Sequence, residues 1–227
     1  MRIQARKSAF RLTFVLASLL VLTACAAPSH LYAANKKSGT YFTLPYSWKR
    51  ISQSTLTKQE SLSKATGAAE RLAAVQWQEA YSPSKEVSAA EIFSLKSPPA
   101  PTVYVRVRAL TSEEMNSVSY NSLRDIFVPL TSWLNSTSDF ATTPVPMTKF
   151  QLLGDEERVE KGARGVRSIF SFTGADGIEQ TFNQTALISP DHSIMYILLV
   201  RARSVDYAKS QKILTDISNS FTVLGAA

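Results

Sequence analysis

The pattern of apolar and polar positions is clearest in the last third of the chain. Residues 166–173, 178–189 and 193–203 predict three consecutive strands. Gly174-Ala175-Asp176-Gly177 and Ser189-Pro190-Asp191-His192 supply the turns between them. Connections this short imply antiparallel pairing. The third strand contains Ile194-Met195-Tyr196-Ile197-Leu198-Leu199-Val200, apolar on both faces, so it is expected mid-sheet with cover on either side. Residues 102–110 predict another strand, with Val103, Val105 and Val107 pointing one way and Tyr104, Arg106 and Arg108 the other. After Arg203 the period becomes helical, and Tyr207, Leu214, Ile217 and Phe221 form one stripe. Ser204 is the expected N-cap of that helix, with Asp206 placed to favour its dipole.

The pattern is less regular before residue 166. Residues 41–44 predict a short strand stopped by Pro45, followed by a turn in which Trp48 is a candidate core anchor. Leu56, Leu62, Ala65, Ala69 and Leu72 share one helical face, interrupted by Gly67. Residues 73–81 alternate again, with Val75, Trp77 and Tyr81 on one face and Gln76 and Gln78 on a wetter one. Four prolines make residues 82–101 a loop with at most one short helical piece. Leu123, Ile126, Phe127, Leu130 and Leu134 keep helical spacing, and Pro129 must kink or split that helix. Residues 132–147 read as loop, and residues 150–153 as a short strand ended by Gly154. The sum is an α+β domain over residues 41–224, an antiparallel sheet covered by helices in three layers.

The first residues are of another kind. Arg2, Arg6, Lys7 and Arg11 precede residues 12–22, an apolar run broken only by Thr13 and Ser18, in the pattern of a secretory signal. Eleven residues are too few for a hydrocarbon core of about 30 Å. Leu22-Thr23-Ala24-Cys25 closes the run and resembles the lipobox of bacterial lipoproteins; a signal cut by the general peptidase, or an uncleaved anchor, is the plainer alternative. The resemblance implies cleavage between Ala24 and Cys25, a diacylglyceryl thioether on Cys25, and an address in the bacterial envelope. That address is the outer side of the cytoplasmic membrane, or the outer membrane where the cell has two. Two acyl chains suffice for stable anchoring where one is marginal. Cys25 is the sole cysteine, so no disulfide can form. Residues 26–40, small and polar around Pro28 and Gly39, read as a flexible tether, with His30 solvated inside it.

This segment also changes the charge. The whole chain carries 25 basic and 18 acidic residues, a formal +7. Without its first 24 residues the basic count falls to 21 and the charge to +3. A basic patch interleaved with aromatics is not visible, which argues against nucleic acid as a partner.

Phe42-Thr43-Leu44-Pro45-Tyr46-Ser47-Trp48, the late run of hairpin strands, and a closing helix ending Ile217-Ser218-Asn219-Ser220-Phe221 resemble the PsbP-like α/β/α sandwich. The likeness spans about residues 40–224 in layout. That fold includes the extrinsic protein of photosystem II, a nuclear-import factor that binds Ran, and LpqN-type lipoproteins of actinobacteria. It implies a habit of binding other proteins and brings no catalytic residues with it.

Candidate chemistry is sparse. No G-x-S-x-G elbow, H-E-x-x-H, phosphate loop or dinucleotide fingerprint occurs, and no cofactor is implied. His192, in a Pro-Asp turn, and His30 are the only histidines for a Ser–His pairing. Asp155, Glu156, Glu157 and Glu160 form either a solvated acidic turn beside Arg158 and Lys161 or a set of oxygens for calcium. Arg106 and Arg108 on one strand, and Arg201 and Arg203 on another, repeat a pattern that puts each pair on one face. If the strands are neighbours, the four guanidiniums make an anion site that Arg164 and Arg167 can join; otherwise they cap strand ends or pair with Glu113, Glu114 and Asp206. The function these features support is a lipid-anchored envelope protein that binds or scaffolds an envelope protein or lipid. The second reading is a carrier or sensor of a small amphiphile, with a pocket lined by Trp77, Phe127 and Trp133. A hydrolase is the third.

Overall fold

The strands expected from residue 73 onward assemble into one antiparallel sheet, and the one expected at 41–44 joins a second. The structure, a computed structural model, describes residues 29–135 and 147–225. The signal, Cys25 and the stretch 136–146 lie outside the described residues. The strands are β1 (His30–Asn35), β2 (Thr40–Pro45), β3 (Lys49–Ile51), β4 (Val75–Ser82), β5 (Thr102–Ala109), β6 (Thr148–Glu160), β7 (Ala163–Thr173), β8 (Glu179–Ile188), β9 (Ile194–Arg203) and β10 (Thr222–Val223). The helices are α1 (Gln53–Glu60), α2 (Ala68–Ala73), α3 (Ala89–Phe93), α4 (Ser112–Ser117), α5 (Tyr120–Arg124), α6 (Leu130–Asn135), α7 (Ser204–Lys209) and α8 (Gln211–Asn219). Among the described residues no helix is long and apolar enough to cross a membrane.

Seven strands pair in the order β3-β4-β5-β9-β8-β7-β6, and β1-β2-β10 form a smaller sheet. As its two apolar faces imply, β9 lies inside the large sheet, between β5 and β8. Alternation then assigns the two faces. Val103, Val105 and Val107 of β5, with Leu198, Val200 and Ala202 of β9, pack against Phe42, Leu44 and Trp48 and against Leu214, Ile217 and Phe221. On the other face Tyr104, Phe170, Phe172, Phe182 and Leu199 meet Leu56, Ile92, Leu130 and Trp133. The result is the expected α+β domain in three layers. The first layer joins α7 and α8 to the small sheet, the large sheet is the middle, and α1–α6 form the third.

Several expectations change. The stretch read as a tether holds β1, whose six residues pair with β2 from His30↔Pro45 to Asn35↔Thr40. Its inward residues, Leu31 and Ala33, are too few and too small to stand out as a pattern. Gly39 closes the hairpin at φ +60°, and a Cβ there would lie 2.0 Å from the Gly225 carbonyl oxygen, so only glycine fits. The helical stripe over 56–72 is two helices, because Gly67 takes φ +71° ahead of α2. The helix expected over 123–134 is split at Pro129, as that residue requires, into α5 and α6, but residues 132–135 are helix rather than loop. The short strand at 150–153 is part of the 13-residue β6, which runs through Gly154 with register shifts on both sides of Gln151 and Leu152. On the face of β4 expected to be wetter, Gln76 is exposed but Gln78 is fully buried. Arg203, not Ser204, is the N-cap of α7, and the Ser204 hydroxyl meets Thr181 Oγ1 at 2.9 Å instead.

Candidate functional site

The third layer is discontinuous. Between α1–α2 on one side and α4–α5 on the other, a groove of about 390 Å³ opens over the middle of β5 and the start of β9. Period two along β5 sends Tyr104, Arg106 and Arg108 into it, and the register sets Ile197 opposite Arg106 and Met195 opposite Arg108. Phe93, Leu110, Val118, Ile126 and Phe127 supply apolar walls, and Glu60, Arg71 and Glu114 line it as well.

Each floor arginine holds a carboxylate at the groove's edge. Arg106 Nη1 donates to Glu60 Oε1 at 2.6 Å and to the Tyr104 hydroxyl at 3.3 Å, while its Nη2 donates to the Arg71 carbonyl at 3.2 Å. The Tyr104 hydroxyl donates to Gln78 Oε1 at 2.8 Å, and the Gln78 amide donates to Thr57 Oγ1 at 3.2 Å. Burial pushes the Tyr104 phenol up to about 12, so it serves as a fixed donor. The Nε of Arg106 is buried without a partner among the described residues. Arg108 takes Glu114 with both terminal nitrogens, at 2.8 and 2.7 Å. Glu114 also completes the capping box of α4, accepting from Thr111 N–H at 2.9 Å. The Arg108 hydrogen bonds hold the Glu114 carboxyl down at about 2. Arg106 and Arg108 thus face two carboxylates in an apolar-walled groove, with the exposed Arg71 on its lining as a third cation. This arrangement can accept one further anion whose remainder is apolar.

The arginine pattern is only partly assembled. Arg201 sits opposite Thr102, four residues along β5 from Arg106, or about 14 Å away at strand spacing. It is 2% exposed and donates to the carbonyls of Ser94, at 2.6 Å, and Glu91, with its guanidinium 5.6 Å from the Phe182 ring centre. Burial lowers its pKa to about 10. Arg203 follows it, away from the groove, with its Nε buried. Arg167 lies under α8, bonded to Asn183 Oδ1 at 2.9 Å and Asn219 Oδ1 at 2.7 Å, and Arg164 is exposed on β7. No four-guanidinium cluster forms, because antiparallel pairing carries the two motifs apart.

The other candidates are placed as follows. Trp77 packs on the opposite face of the sheet from Phe127 and Trp133, so the three line no common pocket. His192, at φ +60°, turns Nδ1 toward the Met115 carbonyl at 3.3 Å, while Ser189 donates to Asp191. His30 meets the Ser29 hydroxyl at 2.8 Å where β1 begins. Asp155, Glu156, Glu157 and Glu160 lie on β6 rather than in a turn. Asp155 accepts from Arg124 at 2.8 Å and Ser168 at 2.6 Å, Glu157 from Tyr120 at 2.5 Å, and Glu160 from Arg158 at 2.8 Å. Among the described residues no group of His, Cys, Asp or Glu could hold a metal ion. Glu60, Arg71, Phe93, Met195 and Ile197 are groove residues the sequence reading passed over. Knowing the β5–β9 register would have found the last two.

No protein-family model matches this chain, and no curated protein matches it. Solved structures similar to it include the PsbP of the cyanobacterium Synechocystis, at 10% identity over 88% of this chain and 95% of that one, with a TM-score of 0.48. Others are LpqN, involved in cell envelope biogenesis of Mycobacterium tuberculosis, at 12% identity over 86% and 90%, TM-score 0.45, and the Ran-binding protein Mog1p of Saccharomyces cerevisiae, at 10% over 88% and 97%, TM-score 0.43. They transfer no residue and no role to this chain.

Proposed function

We propose that this chain is a bacterial envelope lipoprotein, acylated at Cys25, that acts by binding, and that the groove over Arg106 and Arg108 takes an anionic amphiphile. The juxtaposition of apolar walls with paired guanidiniums on one strand carries the reading. An acyl or aromatic part fits against Phe93, Ile126, Phe127 and Ile197, and an acidic head completes the charge that Glu60 and Glu114 leave unmatched. The anchor supports it by concentrating the domain at the surface where such molecules are found.

The test is native mass spectrometry of the full lipoprotein, extracted from its own membranes in mild detergent, with titration by dodecyl phosphate. Saturable one-to-one binding, weakened at least tenfold by Arg106→Gln, is the expected result. Equal binding by the variant, or none by either protein, would remove the groove from consideration. Crosslinking in the envelope would then look for a protein partner.

A further inference from the structure

The place where β1 begins has a consequence for how the domain meets the membrane. Only residues 26–29 separate Cys25 from His30, the first residue of β1. Fully extended, the four steps from Cys25 to Ser29 reach about 14 Å. A folded chain of this length has a radius of gyration of about 17 Å. The headgroup layer of one leaflet takes up about 6 Å of the reach. The leash is therefore shorter than the body it holds, and the corner at which it enters the domain cannot turn away from the bilayer.

That corner has a definite make-up. Ser29 accepts a hydrogen bond from Tyr46 N–H at 3.2 Å, and His30 pairs with Pro45, so the chain enters beside the β2–β3 turn. Tyr46 projects from this turn, 58% exposed, while Trp48 two residues on is buried in the core and fixes the turn in place. Lys49 follows, exposed and paired across to Ser82, whose strand leads directly to the exposed Lys85. A rigidly mounted tyrosine beside two lysines suits a membrane interface, where the ring settles among headgroups and ammonium groups meet lipid phosphates.

We infer that the corner formed by His30, Tyr46, Lys49 and Lys85 is held against the lipid headgroups by the anchor, so that the domain sits on the bilayer in one orientation. The inference rests on the acylation of Cys25 in the reading above, and its test separates the two. Because an acylated Cys25 leaves no thiol, Tyr46→Cys and Lys37→Cys each provide one site for a spin label. Lys37 lies in the β1–β2 turn, at the far end of β1. Each variant is purified as the full lipoprotein, its intact mass is measured, and it is reconstituted in phosphatidylethanolamine–phosphatidylglycerol vesicles.

On passing from detergent to vesicles, the label at 46 is expected to lose accessibility to a water-soluble nickel chelate several-fold, while the label at 37 keeps its own. A label at 46 as open to the chelate as that at 37, on protein of acylated mass, overturns the inference and leaves the anchor intact. A mass without the diacylglyceryl group overturns both. Ser47→Cys, in the same turn, repeats the measurement where the tyrosine substitution perturbs folding.

Discussion

The two faces of the large sheet are built from the same strands and held to their covering layers in different ways. Toward β1, β2, β10, α7 and α8, the side chains of β5 and β9 are apolar, and the cover grips mainly by packing, with Arg167 and Asn183 adding polar ties to Asn219 and Tyr207. Phe42 alone meets Tyr81, Trp77 and Phe221 at 5.9, 6.4 and 6.4 Å between ring centres. Toward α1–α6 the cover consists of helices of five to eight residues, too short to be stable by themselves. Here polar side chains rise from the sheet and bond to the helices. Arg106 takes the end of α1, Arg108 the first turn of α4, and Arg201 the carbonyls of α3 and the residue after it. Gln184, fully buried, donates to the carbonyls of Leu123 and Arg124 in α5, at 3.3 and 2.6 Å. Packing alone draws a cover shut, whereas side chains of fixed length can hold short helices in place and leave a groove between them.

The sharpest way to break this contrast is to truncate the packed face. Phe42→Ala is expected to cost about 3–5 kcal/mol, read from the shift in urea midpoint at constant m-value. A loss under about 1 kcal/mol would mean that this cover is not held by packing. On the other face, Arg201→Met keeps the apolar bulk, leaves the Ser94 carbonyl without this donor and leaves the Glu91 carbonyl to Ser94 N–H alone, at a cost of about 1–3 kcal/mol. Limited proteolysis should then cut within residues 83–101 faster than in the parent, and unchanged cleavage would deny Arg201 its role as a tie.

The smallest effect sharpens the comparison through pH. Glu114 has a folded pKa of about 2 against the ordinary 4.5, so its contribution is complete above pH 4.5 and is lost as pH falls toward 2. The stability gap between the parent and Glu114→Gln should therefore be widest near neutral pH and close on acidification. A gap constant from pH 7 to pH 3 would mean that the ionised carboxylate of Glu114 contributes nothing to stability.

What could be read in advance follows from where the pattern is written. β7, β8 and β9 are buried along most of their length, and apolar stretches set between Gly and Pro turns are the trace by which they read as strands. β6 lies at the edge of the sheet with most of its residues exposed, and its Asp155-Glu156-Glu157-Arg158 run carries no such trace. β1 buries only an alanine fully. The candidate site shows the same division. That Arg106 and Arg108 share a face, and that Glu114 answers an arginine, both follow from local spacing. Whether Arg201 joins them depends on register, which no stretch of either strand encodes alone. Glu60 and Arg71 arrive at the groove through the folding back of α1 and α2, a relation between elements that the individual sequences do not carry.

The adjacency of β5 and β9 also sets a timetable. Thr102 and Arg201 face each other across the middle of the sheet although 99 residues separate them in the chain. The hairpins from β6 to β9 can zip from neighbour to neighbour, but this central seam must close a long loop before it gains anything, and folds with such distant pairings assemble slowly. A chain made from its N-terminus leaves the β9 edge of β5 unpaired until Ile194–Arg203 has emerged. Whatever meets the nascent protein in that interval must shield an apolar strand with one open edge, and the large sheet becomes whole only when β9 takes its central position.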